Sequence, residues 1–179
     1  MSQLNAVEKI EKLIREVNLM KNDIMDIAGT EAENHFKESF DNEGFTDSSL
    51  EKWKSVKRTD KNSGWYGFQY KSKQKRPGRK SKKGSITNFS KARTKAPVLS
   101  GDTQELMNAI TYQRRGWALV FGNPKEYAKI INDGGKMKIF GKHGATMPSR
   151  KFMGNSKVLE DQITTVIVEE MKRRRLINK

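Results

Sequence analysis

The 179-residue chain contains no cysteine and only two histidines. Without thiols it forms neither a disulfide nor a thiolate metal site. A zinc centre takes about three protein ligands with His or Cys prominent. His35 and His143, far apart in sequence, do not supply such a set. No apolar run approaches the roughly 18 residues of a transmembrane helix. Met1 to Glu11 is polar and lacks the charged-then-apolar order of a signal peptide. These absences lead us to expect a soluble protein without a membrane or cofactor partner, made and kept inside a cell. Apolar residues are also scarce, at 34 %. The expected core is therefore small, with part of the chain in arms, loops or interfaces.

Acidic residues are missing from one stretch. Between Lys71 and Lys95 there are eleven Lys or Arg and no Asp or Glu, in a chain of net charge +15. Such a field favours anionic partners. Lys71, Lys73, Lys75, Arg76, Arg79, Lys80, Lys82 and Lys83 are the candidate contacts to DNA or an acidic partner, with Tyr70 or Phe89 available for stacking. Charge runs are more often solvated, and no helix-turn-helix or zinc finger accompanies this one. A solvated loop, an acidic-protein contact and a nucleic-acid contact all stay open.

Catalytic signatures are absent as well. The nearest approach to a phosphate loop, Gly135 to Gly141-Lys142, has one residue too many between its glycines. His143 stands there where Ser or Thr would bind magnesium. A metal nuclease needs clustered carboxylates at strand ends. Most acids here fall on predicted helices, and Glu126 and Asp133 alone lie near the strand region. No nucleophile elbow occurs. His35, beside Phe36, reads as a partly exposed helix residue, and His143 as a residue of a glycine-rich loop. The expectation is a non-enzyme with no catalytic, cofactor or metal residues.

What is present is periodic at both ends. Leu4, Val7, Ile10, Leu13, Ile14, Val17, Met20, Ile24 and Ile27 recur every three or four residues and predict an amphipathic helix over Leu4 to Ala28. A second helix is expected over Thr30 to Phe40, with Thr30 as N-cap and Gly44 as the stop. Gly29 breaks or bends the chain between them, giving two helices or one bent one. Phe45 to Pro97 reads as an extended arm or long hairpin, with a short strand at Gly64 to Tyr70 and a turn at Arg76 to Arg79. A short helix over Gly101 to Ile110 follows, capped by Asp102 or Thr103. Two strands, Ile110 to Tyr112 and Trp117 to Phe121, then flank Arg114-Arg115-Gly116. Tyr127 to Ile131 reads as a short helix or strand, and Gly134 to Gly144 as a loop. Ser156 to Arg175 is a second amphipathic helix. The order predicts an α+β chain of N-terminal helices, a small mostly antiparallel sheet with a long basic arm, and a C-terminal helix. It reads as a single domain over residues 1–179, with 57–97 as the basic arm or loop insertion.

Four short blocks, in order, resemble the phage virion morphogenesis family, the tail completion proteins. The first is the helix carrying His35-Phe36 and Phe40, followed by Trp53-Lys54-Ser55. The second is Val98-Leu99-Ser100-Gly101, with Leu106 at a longer distance than in the family. The third is Val120-Phe121-Gly122, Tyr127-Ala128 and Gly134-Gly135, with Ile131 where the family often has His. The fourth is Met147-Pro148-Ser149-Arg150-Lys151-Phe152-Met153-Gly154, with Lys151 in place of a second Pro. The similarity spans Thr30 to Met171.

The resemblance implies a structural subunit, a tail terminator or head–tail connector, that assembles as a homo-oligomeric ring. The ring is expected to have six copies, at the neck or the head-proximal tail end. Implied partners are virion proteins on the connector or portal side and the tail-tube side, with packaged DNA in the lumen. The implied location is the virion, and the host cytoplasm during assembly. A ring needs two different complementary surfaces on each subunit. Trp53, Tyr127, Pro148, Arg150 and Phe152 are the candidate interface residues, Phe152 as an anchor on a rigid Pro148 segment. An ordinary core-packing turn before the last helix is the equal alternative for that segment. Lys71 to Lys95 offers another reading, a sequence-nonspecific nucleic-acid-binding protein.

Overall fold

A computed structural model describes residues 6–69, 89–99, 104–139 and 143–174 of the chain. The first apolar stripe belongs to one helix, α1 (Ala6–Asp41). Gly29 does not break it. A Cβ at Gly29 would run into the Tyr112 ring, so the residue lets a strand pack close against an unbroken helix. Thr30 is not a cap either. Its hydroxyl donates back to the Asp26 carbonyl at 2.9 Å, an in-helix bond. The turn after α1 is made by Glu43, which takes a left-handed conformation, and Gly44 opens the next strand.

The strands β1 (Gly44–Thr46) and β2 (Leu50–Lys52) pair antiparallel, Phe45 opposite Glu51. The strand expected at Gly64 to Tyr70 is not seen over its described part. Residues 61–67 form turns and only Phe68 pairs, in an isolated antiparallel bridge to Phe89. Tyr70 and the Arg76–Arg79 turn lie outside the described residues. After the bridge, α2 (Lys91–Lys95) leads back to the body. α3 (Glu105–Asn108) starts from Gln104 in a left-handed conformation, and the expected caps Asp102 and Thr103 lie outside the described residues.

β3 (Thr111–Arg115) and β4 (Ala118–Gly122) form the predicted hairpin. Trp117 joins Gly116 in its two-residue turn and does not begin the strand. Tyr127 to Ile131 resolves as helix, α4 (Ala128–Asp133). The expected glycine loop is instead a hairpin of β5 (Gly135–Ile139) and β6 (His143–Met147). Lys136, Met137, Lys138 and Ile139 alternate polar and apolar, the period of a strand, which the flanking glycines obscure. α5 (Lys157–Arg173) ends the described chain. Ser156 caps it, accepting the Leu159 N–H at 3.1 Å and donating to the Thr46 carbonyl at 2.8 Å.

The class is α+β, with three separate two-stranded antiparallel ladders among the described residues in place of one small sheet. α5 runs back along α1, from Ser156 beside Thr46 to Arg174 paired with Asp23. The core lies between the C-terminal half of α1 and the rest: Ala32, Phe36 and Phe40 meet Phe45, Leu106, Ile110, Ala128, Phe152 and Leu159. Each large apolar side chain there contributes about 1.5–3 kcal/mol.

Candidate functional site

Asn132, on the last turn of α4, ties that helix to the Met147–Gly154 segment. Its Oδ1 accepts the backbone N–H groups of Phe152 and Met153 at 2.9 and 3.0 Å. Its carbonyl accepts the Ser149 hydroxyl at 2.7 Å. One residue earlier, the Ile131 carbonyl accepts the Arg150 N–H at 2.8 Å. Gly134 closes the node. It has φ +72°, and a Cβ there would lie 2.7 Å from the Ser149 nitrogen, so only glycine fits. Trp53 enters from the other side. Its indole N–H donates to the Lys151 carbonyl at 2.7 Å while its ring stands edge-on to Phe40. Phe40 also packs on Phe152, with ring centroids 5.2 Å apart. Trp53, Tyr127-Ala128, Gly134 and Met147 to Gly154 thus form one continuous structure.

That node changes the reading of the interface residues. Phe152, at 1 % exposure, is core and no free anchor. Arg150 is buried too, donating to the Lys54 carbonyl at 3.2 Å, and burial lowers its pKa. The Pro148–Phe152 segment is therefore a core-packing turn. Trp53 and Pro148 are half-buried, and only Tyr127 is exposed. The remaining candidates, Lys71, Lys73, Lys75, Arg76, Arg79, Lys80, Lys82 and Lys83, all lie outside the described residues.

The residues flanking that basic stretch are described, and they make a cationic notch. Lys57, Arg58 and Arg93 line it with Val56, Trp65 and Phe68. Arg58 is fixed in place by donating to the carbonyls of Ala96 and Pro97 at 2.9 and 2.6 Å. Burial, and then the neighbouring Arg93 charge, lower the Arg58 pKa. The Phe68–Phe89 bridge sets the notch at the base of the 70–88 segment.

Two apolar surfaces face outward. One is the N-terminal part of α1, where Val7, Ile10, Ile14 and Leu19 are exposed. The other is the tip of the β3–β4 hairpin, where Trp117 is 70 % exposed. They meet at Lys21, whose ammonium sits 4.0 Å over the Trp117 ring. Arg114 secures the same junction by donating to the Asn22 side chain and to Asp26.

His35 is corrected from partly exposed to buried. Its Nε2 lies 3.0 Å from the Thr46 carbonyl, and its ring stands edge-on to Phe36 and Phe45. A carbonyl only accepts, so Nε2 carries the proton and the ring ties α1 to β1. His143 sits in β6 by its backbone. Among the described residues, no three His, Asp or Glu side chains gather as a metal set, and no helix is long and apolar enough to cross a membrane. Asn132 escaped the sequence reading because a lone Asn before a glycine pair signals a turn as readily as a clamp. Comparison with family models, with curated proteins and with solved structures found no match to this chain.

Proposed function

We propose that this chain is a non-enzymatic structural subunit of a tailed bacteriophage, acting in tail completion or head–tail joining. It assembles as a ring of six copies at the neck or the head-proximal end of the tail. The observation that supports the reading is that parts of three of the four blocks resembling the virion morphogenesis family, at Trp53, Gly134 and Met147 to Gly154, pack around Asn132. Apolar side chains turned outward on α1 and at Trp117 suit a subunit completed by its neighbours.

Deleting the gene from the phage that carries it tests the proposal. Separate heads and unfinished tails are expected by electron microscopy, with joining restored when the purified protein is added. Infectious, normal virions without the protein would overturn it.

A second reading, nonspecific nucleic-acid binding through residues 71–95, draws on the cationic notch in which Arg93 of that stretch joins Lys57 and Arg58. It predicts DNA affinity that falls steeply with salt and is lost when 70–88 is replaced by a neutral linker. Salt-insensitive binding, or none at low salt, would count against it.

A further inference from the structure

The apolar stripe of α1 does not stop where the body stops. The described part of α5 ends beside Asp23, and the β3–β4 tip covers the helix only as far as Lys21. Among the described residues Ala6 to Met20 therefore extends beyond the body as an arm about 22 Å long. Along it Val7, Ile10 and Ile14 are 63, 58 and 54 % exposed. Their spacing of three then four keeps them on the helix face that farther along buries Met25, Ala28 and Ala32. In sequence the same register continues through Val17, the a and d pattern of a coiled coil.

We infer that the arms of several copies of this chain pack together along this stripe as a parallel coiled coil. Charge selects a second copy as the occupant. The chain as a whole is at +15, yet Ala6 to Met20 holds three acids (Glu8, Glu11, Glu16) and three bases (Lys9, Lys12, Arg15). Copies can therefore bring this arm together without net repulsion, and it offers no net field to an acidic or basic stranger. β-Branched Val and Ile at both seam positions favour more than two strands. Lys21, the next seam position, is held by Trp117, which ends the bundle at the body. The parallel direction rests on the proposed ring, whose rotational symmetry points all arms the same way.

The full-length chain tests this by mass in solution at concentrations up to about 0.1 mM. The double variant Ile10→Asp/Ile14→Asp should weaken self-association about a hundredfold or more. Its thermal unfolding should match that of dispersed wild type, because the arm lies outside the core. The natural lack of cysteine permits a second readout. Ile14→Cys should form disulfide-linked dimers on mild oxidation, whereas Leu19→Cys, on the opposite face, should not. If wild type oligomerises and the double variant does so equally, the coiled coil is wrong and the ring stands. If wild type stays monomeric and Ile14→Cys does not cross-link, the inference fails, while gene deletion still judges the virion role.

Discussion

Ile10 and Phe36 lie on one face of one helix, and the two ends of that helix have opposite fates. Around Phe36 the stripe meets Phe45, Phe121 and the Phe152 segment and is sealed from water. Around Ile10 the same kind of side chain faces solvent. Composition does not distinguish them, since both halves carry apolar residues every three or four positions. The difference is what the rest of the chain supplies. Two hairpins, two short helices and the Asn132 node are folded against the second half, and the described part of α5 ends beside Asp23. A helix face defines where burial is wanted, and tertiary partners decide where it occurs. The unfilled demand marks where assembly with other copies would add stability.

The comparison breaks most sharply by truncation on the two sides. Phe152→Ala should destabilise the chain by about 3–5 kcal/mol, while Ile14→Ala in the dispersed subunit should cost under about 0.5 kcal/mol. Urea unfolding under conditions that keep the chain monomeric measures both. Comparable losses would mean that the arm packs on its own body. The Asn132 clamp should follow in size. Asn132→Ala strands the N–H groups of Phe152 and Met153, and a loss of about 1–3 kcal/mol is expected. A neutral result would show that water replaces the side chain and that the node is not a constraint.

Gly29 gives a smaller and more diagnostic effect because two terms oppose. In an open helix Gly29→Ala would stabilise by about 1 kcal/mol. Here the new methyl meets the Tyr112 ring, and overpacking costs about 1–3 kcal/mol. Net destabilisation is expected in wild type. In a Tyr112→Ser background the sign should reverse, so a thermodynamic cycle isolates the contact. A stabilising Gly29→Ala in wild type would mean that β3 does not press on α1.

Elements with a strong period were legible from sequence: the stripe of α1, the β3–β4 hairpin and α5, whose Ser156 cap only the structure shows. What escaped was decided by tertiary contact. Gly29 reads as a break because intrinsic propensity ignores Tyr112. Lys136 to Ile139 has the alternation of a strand, masked by glycines on both sides. His35 reads as half-exposed because nothing local announces the Thr46 carbonyl as its partner. Trp53, Arg150 and Phe152 read from sequence as interface residues, whereas in the structure their contacts are made within the subunit. No pattern in sequence separates an aromatic anchored at home from one offered to a neighbour. The exposed seam at Val7, Ile10 and Ile14 needed the structure, because periodicity predicts a buried face without saying which part of it stays uncovered.

The smallest expected effect lies where α5 meets the start of the covered half of α1. Glu170 accepts hydrogen bonds from Arg173 and Arg174, which hold its pKa down to about 2 from 4.5, and Arg174 also pairs with Asp23. A carboxylate whose pKa is lower in the folded state adds stability above its unfolded pKa. That contribution is lost as the pH falls through the folded value. The window is therefore from about 4.5 down to about 2. The pair is at the surface, so salt should shrink the effect. Between about pH 5 and pH 2.5 at low salt, wild type should lose more thermal stability than Glu170→Gln, and the gap should narrow in high salt. Equal acid sensitivity of the two proteins would mean that the Glu170–Arg174–Asp23 link does not fasten α5 to α1. The boundary between the covered helix and the free arm would then lie farther along α1 than Asp23.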